Sequence, residues 1–113
     1  MKFFEDKAME NRIFDLIDFG IVPVGETKQV NLWVLNDDSP KVTGNLKDLT
    51  FRVSCLDPET EKVIEDEEVD VLEAPEIMHK QEIAPLVLSW TPNVTLEQGL
   101  KAKLTISGQK VIG

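Results

Sequence analysis

The sequence predicts an all-β protein: a single β-sandwich of about seven strands over residues 15–113, preceded by an N-terminal arm over residues 1–14. Three observations predict it. Apolar residues recur at every second position in one run after another, the period of a strand with one buried face. Turn-forming residues separate these runs at roughly the spacing of a sandwich. After residue 20 no stretch shows a convincing amphipathic helical pattern.

Size and composition agree with one domain. At 113 residues the chain buries about two-thirds of its unfolded surface, enough for one core. Hydrophobic residues make up 42% and charged residues 29%. No apolar run approaches the roughly 18 residues of a membrane-spanning helix. The start, MKFFEDKAMENR, carries Glu5, Asp6 and Glu10 and lacks the apolar stretch of a secretory signal. Cys55 is the one cysteine, so no disulfide forms within the chain, as suits a reducing cytoplasm. The net charge is −9, and all of it lies between Asp57 and Glu76, where ten acidic residues face a single basic one, Lys62. Such a balance argues against nucleic acid, whose binders present basic faces. The acidic stretch reads first as a solvated hairpin, and second as a patch for a basic partner surface.

The elements follow in order. Phe3, Phe4, Ala8 and Met9 fit one face of a short helix, or else residues 1–14 form an extended arm. That arm tucks onto its own domain or docks on a neighbouring subunit. Strand patterns then run through Val30, Leu32 and Val34; through Leu49, Phe51, Val53 and Cys55; through Val69 and Val71; through Leu86, Leu88 and Trp90; and through Leu100, Ala102, Leu104 and Ile106. A last run, Lys110 to Ile112, is a strand or an exit tail. Turns are expected at NDDSPKVTGN (36–45), LDPETEK (56–62) and TPNVTLEQG (91–99). Pro75 and Pro85 are expected at strand boundaries, where a missing N–H does least harm.

A search for reactive constellations yields little. Gly20 and Gly25 stand in a G-x4-G spacing, but Glu26-Thr27-Lys28 follows instead of the Lys-Ser/Thr of a phosphate loop, and an acid there repels phosphate. One histidine, His79, and one distant cysteine make no tetrahedral zinc site and no nucleophilic set. Cys55 falls on the apolar face of its strand and reads as a buried, inert thiol. Glu65, Asp66, Glu67 and Glu68 form a run of carboxylates that reads as a solvated edge; such charges also discourage edge-to-edge strand pairing. The run lacks the alternating acidic pattern of a calcium loop. The Asn93-Val94-Thr95 triplet matches a glycosylation acceptor but has no secretory signal to give it meaning. No catalytic residue, metal ligand or cofactor is therefore expected, and the protein is not expected to be an enzyme. Trp90 shares a face with Leu86 and Leu88 and reads as core. Trp33 points away from the face of Val30, Leu32 and Val34; it is either an exposed interface anchor or covered by the arm.

Two stretches carry a resemblance. IDFGIVPVGETKQVNLWVLN (17–36) resembles the opening strands of ASH/MSP-like immunoglobulin-type domains, and VLSWTPNVTLEQGLKAKLTISG (87–108) resembles their closing half, with Trp90-Thr91-Pro92, Gly99 and Leu104-Thr105-Ile106 at the matching places. The acidic middle and Trp90, where Phe is usual, depart from the pattern. The resemblance implies an Ig-like sandwich and a non-enzymatic role. It implies a virion accessory subunit, such as a capsid decoration protein assembled in the host cytoplasm, or alternatively a cytoplasmic scaffold or adaptor domain. Expected partners are proteins: major capsid or other virion subunits, or further copies of the chain. Nucleic acid and membrane are not expected partners. The candidate interaction residues are Phe3, Phe4, Met9, Trp33, Glu65, Asp66, Glu67 and Glu68.

Overall fold

The structure, a computed structural model, describes residues 2–13, 16–36 and 45–111. Among the described residues are eight strands: β1 (Lys2–Phe4), β2 (Arg12–Ile13), β3 (Leu16–Gly20), β4 (Lys28–Leu35), β5 (Asn45–Leu56), β6 (Val69–Glu73), β7 (Ile83–Trp90) and β8 (Leu100–Val111). They build two antiparallel sheets, one of five strands in the order β2-β1-β4-β7-β6 and one of three in the order β3-β8-β5. Among the described residues there is no helix. The chain is thus an all-β, sandwich-like protein. Residues 37–44 of the first expected turn, and Ile112 of the last run, lie outside the described residues.

The alternation in sequence becomes the core. Leu32, Val34, Leu86, Leu88 and Trp90 of the larger sheet meet Ile17, Phe19, Phe51, Cys55, Leu100, Ala102 and Leu104 of the smaller one. Leu86, Leu88, Trp90 and Leu100 are wholly buried, each worth about 1.5–3 kcal/mol in apolar burial. Phe19 meets Trp90 edge-on, with ring centroids 6.0 Å apart and planes at 77°, which adds about 1 kcal/mol.

The first glycine-rich corner works by backbone geometry. Gly20 and Gly25 have φ of +70° and +82°, a region that side chains enter only at a cost. The Glu26 N–H closes a turn onto the Pro23 carbonyl at 3.0 Å, with Gly25 at the third position where a type II turn demands positive φ. Gly99, at φ +81°, packs against Gly20 so closely that a Cβ would lie 2.6 Å from the Gly20 carbonyl oxygen. The corner and the last loop therefore lock together, and β3 is delivered onto β8.

Several elements depart from expectation. Of the two readings of the N-terminal arm, a helical face or an extended arm, the helical one fails: residues 2–13 form a β-hairpin that lies on its own domain by pairing with β4. Phe3 pairs with Val34 and Phe4 with Trp33, so adjacent phenylalanines face opposite sides of the sheet. The Asp6 carboxylate closes the loop by accepting the N–H groups of Glu10 (3.1 Å) and Asn11 (2.8 Å), chemistry that favours a turn over a helix interior. Pro85 lies inside β7 rather than at its boundary. β6 accompanies β7 only from Val87 onward, so Pro85 sits where that flank has no strand among the described residues. Val71 is exposed because β6 is an edge strand with a bulge between Val71 and Glu73. The last run is not separate: β8 continues through Gly108 to Val111, opposite a bulge in β5 where Asp48 has φ +52°.

Candidate interaction surface

The predicted interaction residues separate into two places. Phe3 and Phe4 are buried within their own domain and offer no anchor to a partner. Phe3 joins the main core, and Phe4 lies on the outer face beside Trp33. Trp33 is half-buried, with the Lys7 ammonium 5.4 Å from its ring centroid. That geometry favours a cation–π contact of about 0.5–1 kcal/mol. The N-terminal hairpin thus covers Trp33 in part. Met9 stays exposed, held outward at φ +61° in the hairpin loop.

The second place is the acidic turn, and it holds a correction. Glu65, Asp66 and Glu68 are exposed, but Glu67 is buried, at 6%. Its carboxylate accepts the Trp90 indole N–H at 3.2 Å, the Asn93 N–H at 3.0 Å and the Val94 N–H at 3.2 Å. The Asn93 side-chain amide donates to the Asp66 carbonyl at 3.2 Å. Glu67 is therefore a structural staple between the β6 approach and the loop after β7, not part of a solvated edge. A signal for it existed. Counting back in twos from buried Val69 puts Glu67 on the inward face, where a carboxylate must find donors. The rest of the turn is what the sequence predicts: an exposed acidic rim.

Cys55 is buried, as expected. Burial pushes its thiol above the ordinary pKa, the Glu67 charge adds to this, and the Val69 backbone hydrogen bond offsets part of it. Asp57 organises the preceding turn by accepting the N–H groups of Glu59 (2.9 Å) and Thr60 (3.0 Å), with Thr60 the stronger influence in holding its carboxyl below the usual range. His79 lies in an exposed turn, where its carbonyl accepts from the Asn36 amide at 3.0 Å. Among the described residues no group of three or more His, Cys, Asp or Glu is arranged to hold a metal ion, and no helix is long and apolar enough to cross a membrane.

Strand register gathers three loops at one end of the sandwich. Lys28 and Val69 both pair with Trp90, Gly20 pairs with Leu100, and Leu56 pairs with Lys101. Loops 21–27, 57–68 and 91–99 therefore share that end. A 3.3 Å bond from the Gly25 N–H to the Pro92 carbonyl and a 2.7 Å contact between the Thr27 and Thr91 hydroxyls tie two of them. Together the loops carry nine acidic residues and one basic residue, Lys62. Four large apolar side chains stand out into solvent there: Ile21 (68% exposed), Val24 (50%) and Val94 (51%) on the two tied loops, and Val63 (62%) on loop 57–68. Exposed aliphatic groups rimmed by charge mark a surface suited to a protein partner. Sequence reading found the acids but missed these four apolar residues, because each lies in a loop rather than in an alternating run.

Fold and surface together define a class: an all-β protein of two antiparallel sheets with one acidic, apolar-tipped end. Compared with protein-family models, with curated proteins and with solved structures, the chain matches none.

Proposed function

We propose that this chain is a non-enzymatic structural subunit of Ig-like fold that binds protein partners within a larger assembly, as a virion accessory subunit such as a capsid decoration protein. The acidic end carrying Ile21, Val24 and Val94 supports the reading most directly. Its partner surface would be basic, with an apolar recess, and association would weaken as salt rises. Strand order supports the Ig-like part. The order β1-β4-β7-β6 follows the A-B-E-D sheet of that fold, β5 beside β8 follows C beside F, and β3 occupies the edge where strand G would stand.

The test begins with proteins that co-purify with the chain from its own source, identified by mass spectrometry. Binding of the identified partner is then measured for the wild type and for a variant with Ile21→Ser, Val24→Ser and Val94→Ser. The variant should bind at least about tenfold more weakly while remaining folded. Equal binding by both would sink the proposal. The second reading, a cytoplasmic scaffold domain of ASH/MSP type, is favoured by the Gly20–Gly25 corner. A capsid protein as the identified partner supports the first reading, and a cytoskeletal protein supports the second.

A further inference from the structure

One flank of β4 is half-used. β4 pairs with β7 along its whole length, Lys28 to Leu35. On its other side β1 covers only Trp33 to Leu35. Among the described residues no strand flanks Lys28–Leu32, a free edge of about 17 Å. A groove of about 460 Å³ runs beside it, walled by Ile13, Leu16, Ile17, Val30 and Leu32. Gln29, Asn31 and the exposed Glu5, Asp18 and Lys28 also line it. The outer edges of β5 and β6 are guarded. β5 is bridged at Leu46–Met78 and Leu56–Val63, and β6 carries Asp70 and Glu73.

We infer that this edge pairs with the same edge of a second copy, forming a two-fold dimer through antiparallel β4 strands. Charge decides the occupant. Lys28 begins the free edge, whereas Glu5 lies at its far end, just past Phe4, which pairs with Trp33. A two-fold axis at Val30 sets Gln29 opposite Asn31 and carries Lys28 of each copy to the Glu5 end of the other. Both unlike-charge contacts then form at once, as an isologous interface requires. Val30 meets its own counterpart over the groove, so apolar surface is covered on both sides. A two-fold axis perpendicular to the sheet keeps corresponding faces together, so Val30 and Leu32 stay on the core side in both copies.

Light scattering after size exclusion should give twice the chain mass of 12.7 kDa for the wild type. Lys28→Glu alone and Glu5→Lys alone each create two like-charge contacts and should weaken the dimer by about tenfold or more. An equimolar mixture of the two variants restores both unlike pairs and should return to dimer mass. A wild type that stays at monomer mass, or variants that dimerise alone, or a mixture that stays monomeric, would each overturn the inference. Should a variant unfold by circular dichroism, carbodiimide cross-linking of mixed ¹⁴N- and ¹⁵N-labelled wild type decides: an inter-copy Lys28–Glu5 product supports the pairing, and its absence refutes it. The edge is separate from Ile21, Val24 and Val94, so failure here leaves the acidic-end proposal standing, and the reverse also holds.

Discussion

Replacing Glu67 by alanine tests the chief correction to the sequence reading. The carboxylate accepts from three N–H groups, those of the Trp90 indole, Asn93 and Val94. Trp90 is wholly buried, so its orphaned N–H has no route to water and costs about 1–3 kcal/mol. Asn93 and Val94 are exposed residues, and water replaces their lost acceptor more cheaply, at about 0.5–1 kcal/mol each. The sum is about 3 kcal/mol, a fall in Tm of about 12 °C for a chain of this length. Urea unfolding followed by tryptophan fluorescence measures it. Glu65→Ala and Glu68→Ala, at exposed neighbours, should stay within about 0.5 kcal/mol of wild type. A double-mutant cycle with Trp90→Phe should show a coupling of about 1–2 kcal/mol between the indole and the carboxylate. If Glu67→Ala costs no more than its neighbours, or the coupling is zero, the staple does not exist.

Other outcomes follow from the backbone and the thiol. Gly99→Ala should cost about 3 kcal/mol, because it adds a backbone clash with Gly20 to the strain of positive φ; Gly25→Ala, with open space around it, should cost about 1–2 kcal/mol, and thermal melts rank the two. Cys55 should resist thiol reagents in the folded protein, since it is buried and its pKa is raised by burial and by Glu67. Its raised pKa has a consequence for stability. The neutral thiol favours folding fully below the unfolded thiol's pKa of about 8.5, and that contribution is lost as pH climbs through the raised folded value. Urea titrations from pH 7 to about pH 10 should therefore show a smaller decline for Cys55→Ala than for wild type.

The strands and most of the core were legible because a period of two needs only one buried face. Leu86, Leu88 and Trp90 in one run, and Leu100, Ala102 and Leu104 in another, are buried where alternation puts them. The corner was legible as well, since few residues other than glycine accept the φ of Gly20 and Gly25. The hairpin of residues 2–13 was not. Its loop rests on one carboxylate, Asp6, receiving two backbone N–H groups, and Phe3-Phe4 reads equally well on a helix or a strand. Glu67 was hidden by its company: three exposed acids beside it suggested one environment for all four, although parity with Val69 set it apart. The apolar tip was invisible because Ile21 and Val24 come to the same end as Val94 only when two distant loops are tied together.

The lock between Gly20 and Gly99 also bears on the order in which the chain folds. β8 is the middle strand of its sheet, and β3 and β5 touch it but not each other. During synthesis the β1–β2 hairpin and the β4–β7–β6 ladder have all their strands once residue 90 has emerged. β3 and β5, which carry Phe19 and Phe51, must then wait for the strand that pairs with both until residues 100–111 have emerged. Contacts this distant in sequence form slowly, so in a nascent chain β3 and β5 carry unpaired edges, and the core lacks Leu100, Ala102 and Leu104, until β8 is made. A partner or chaperone that shields the inner face of β3 and β5 in that interval would raise the yield of folded protein without touching the finished structure.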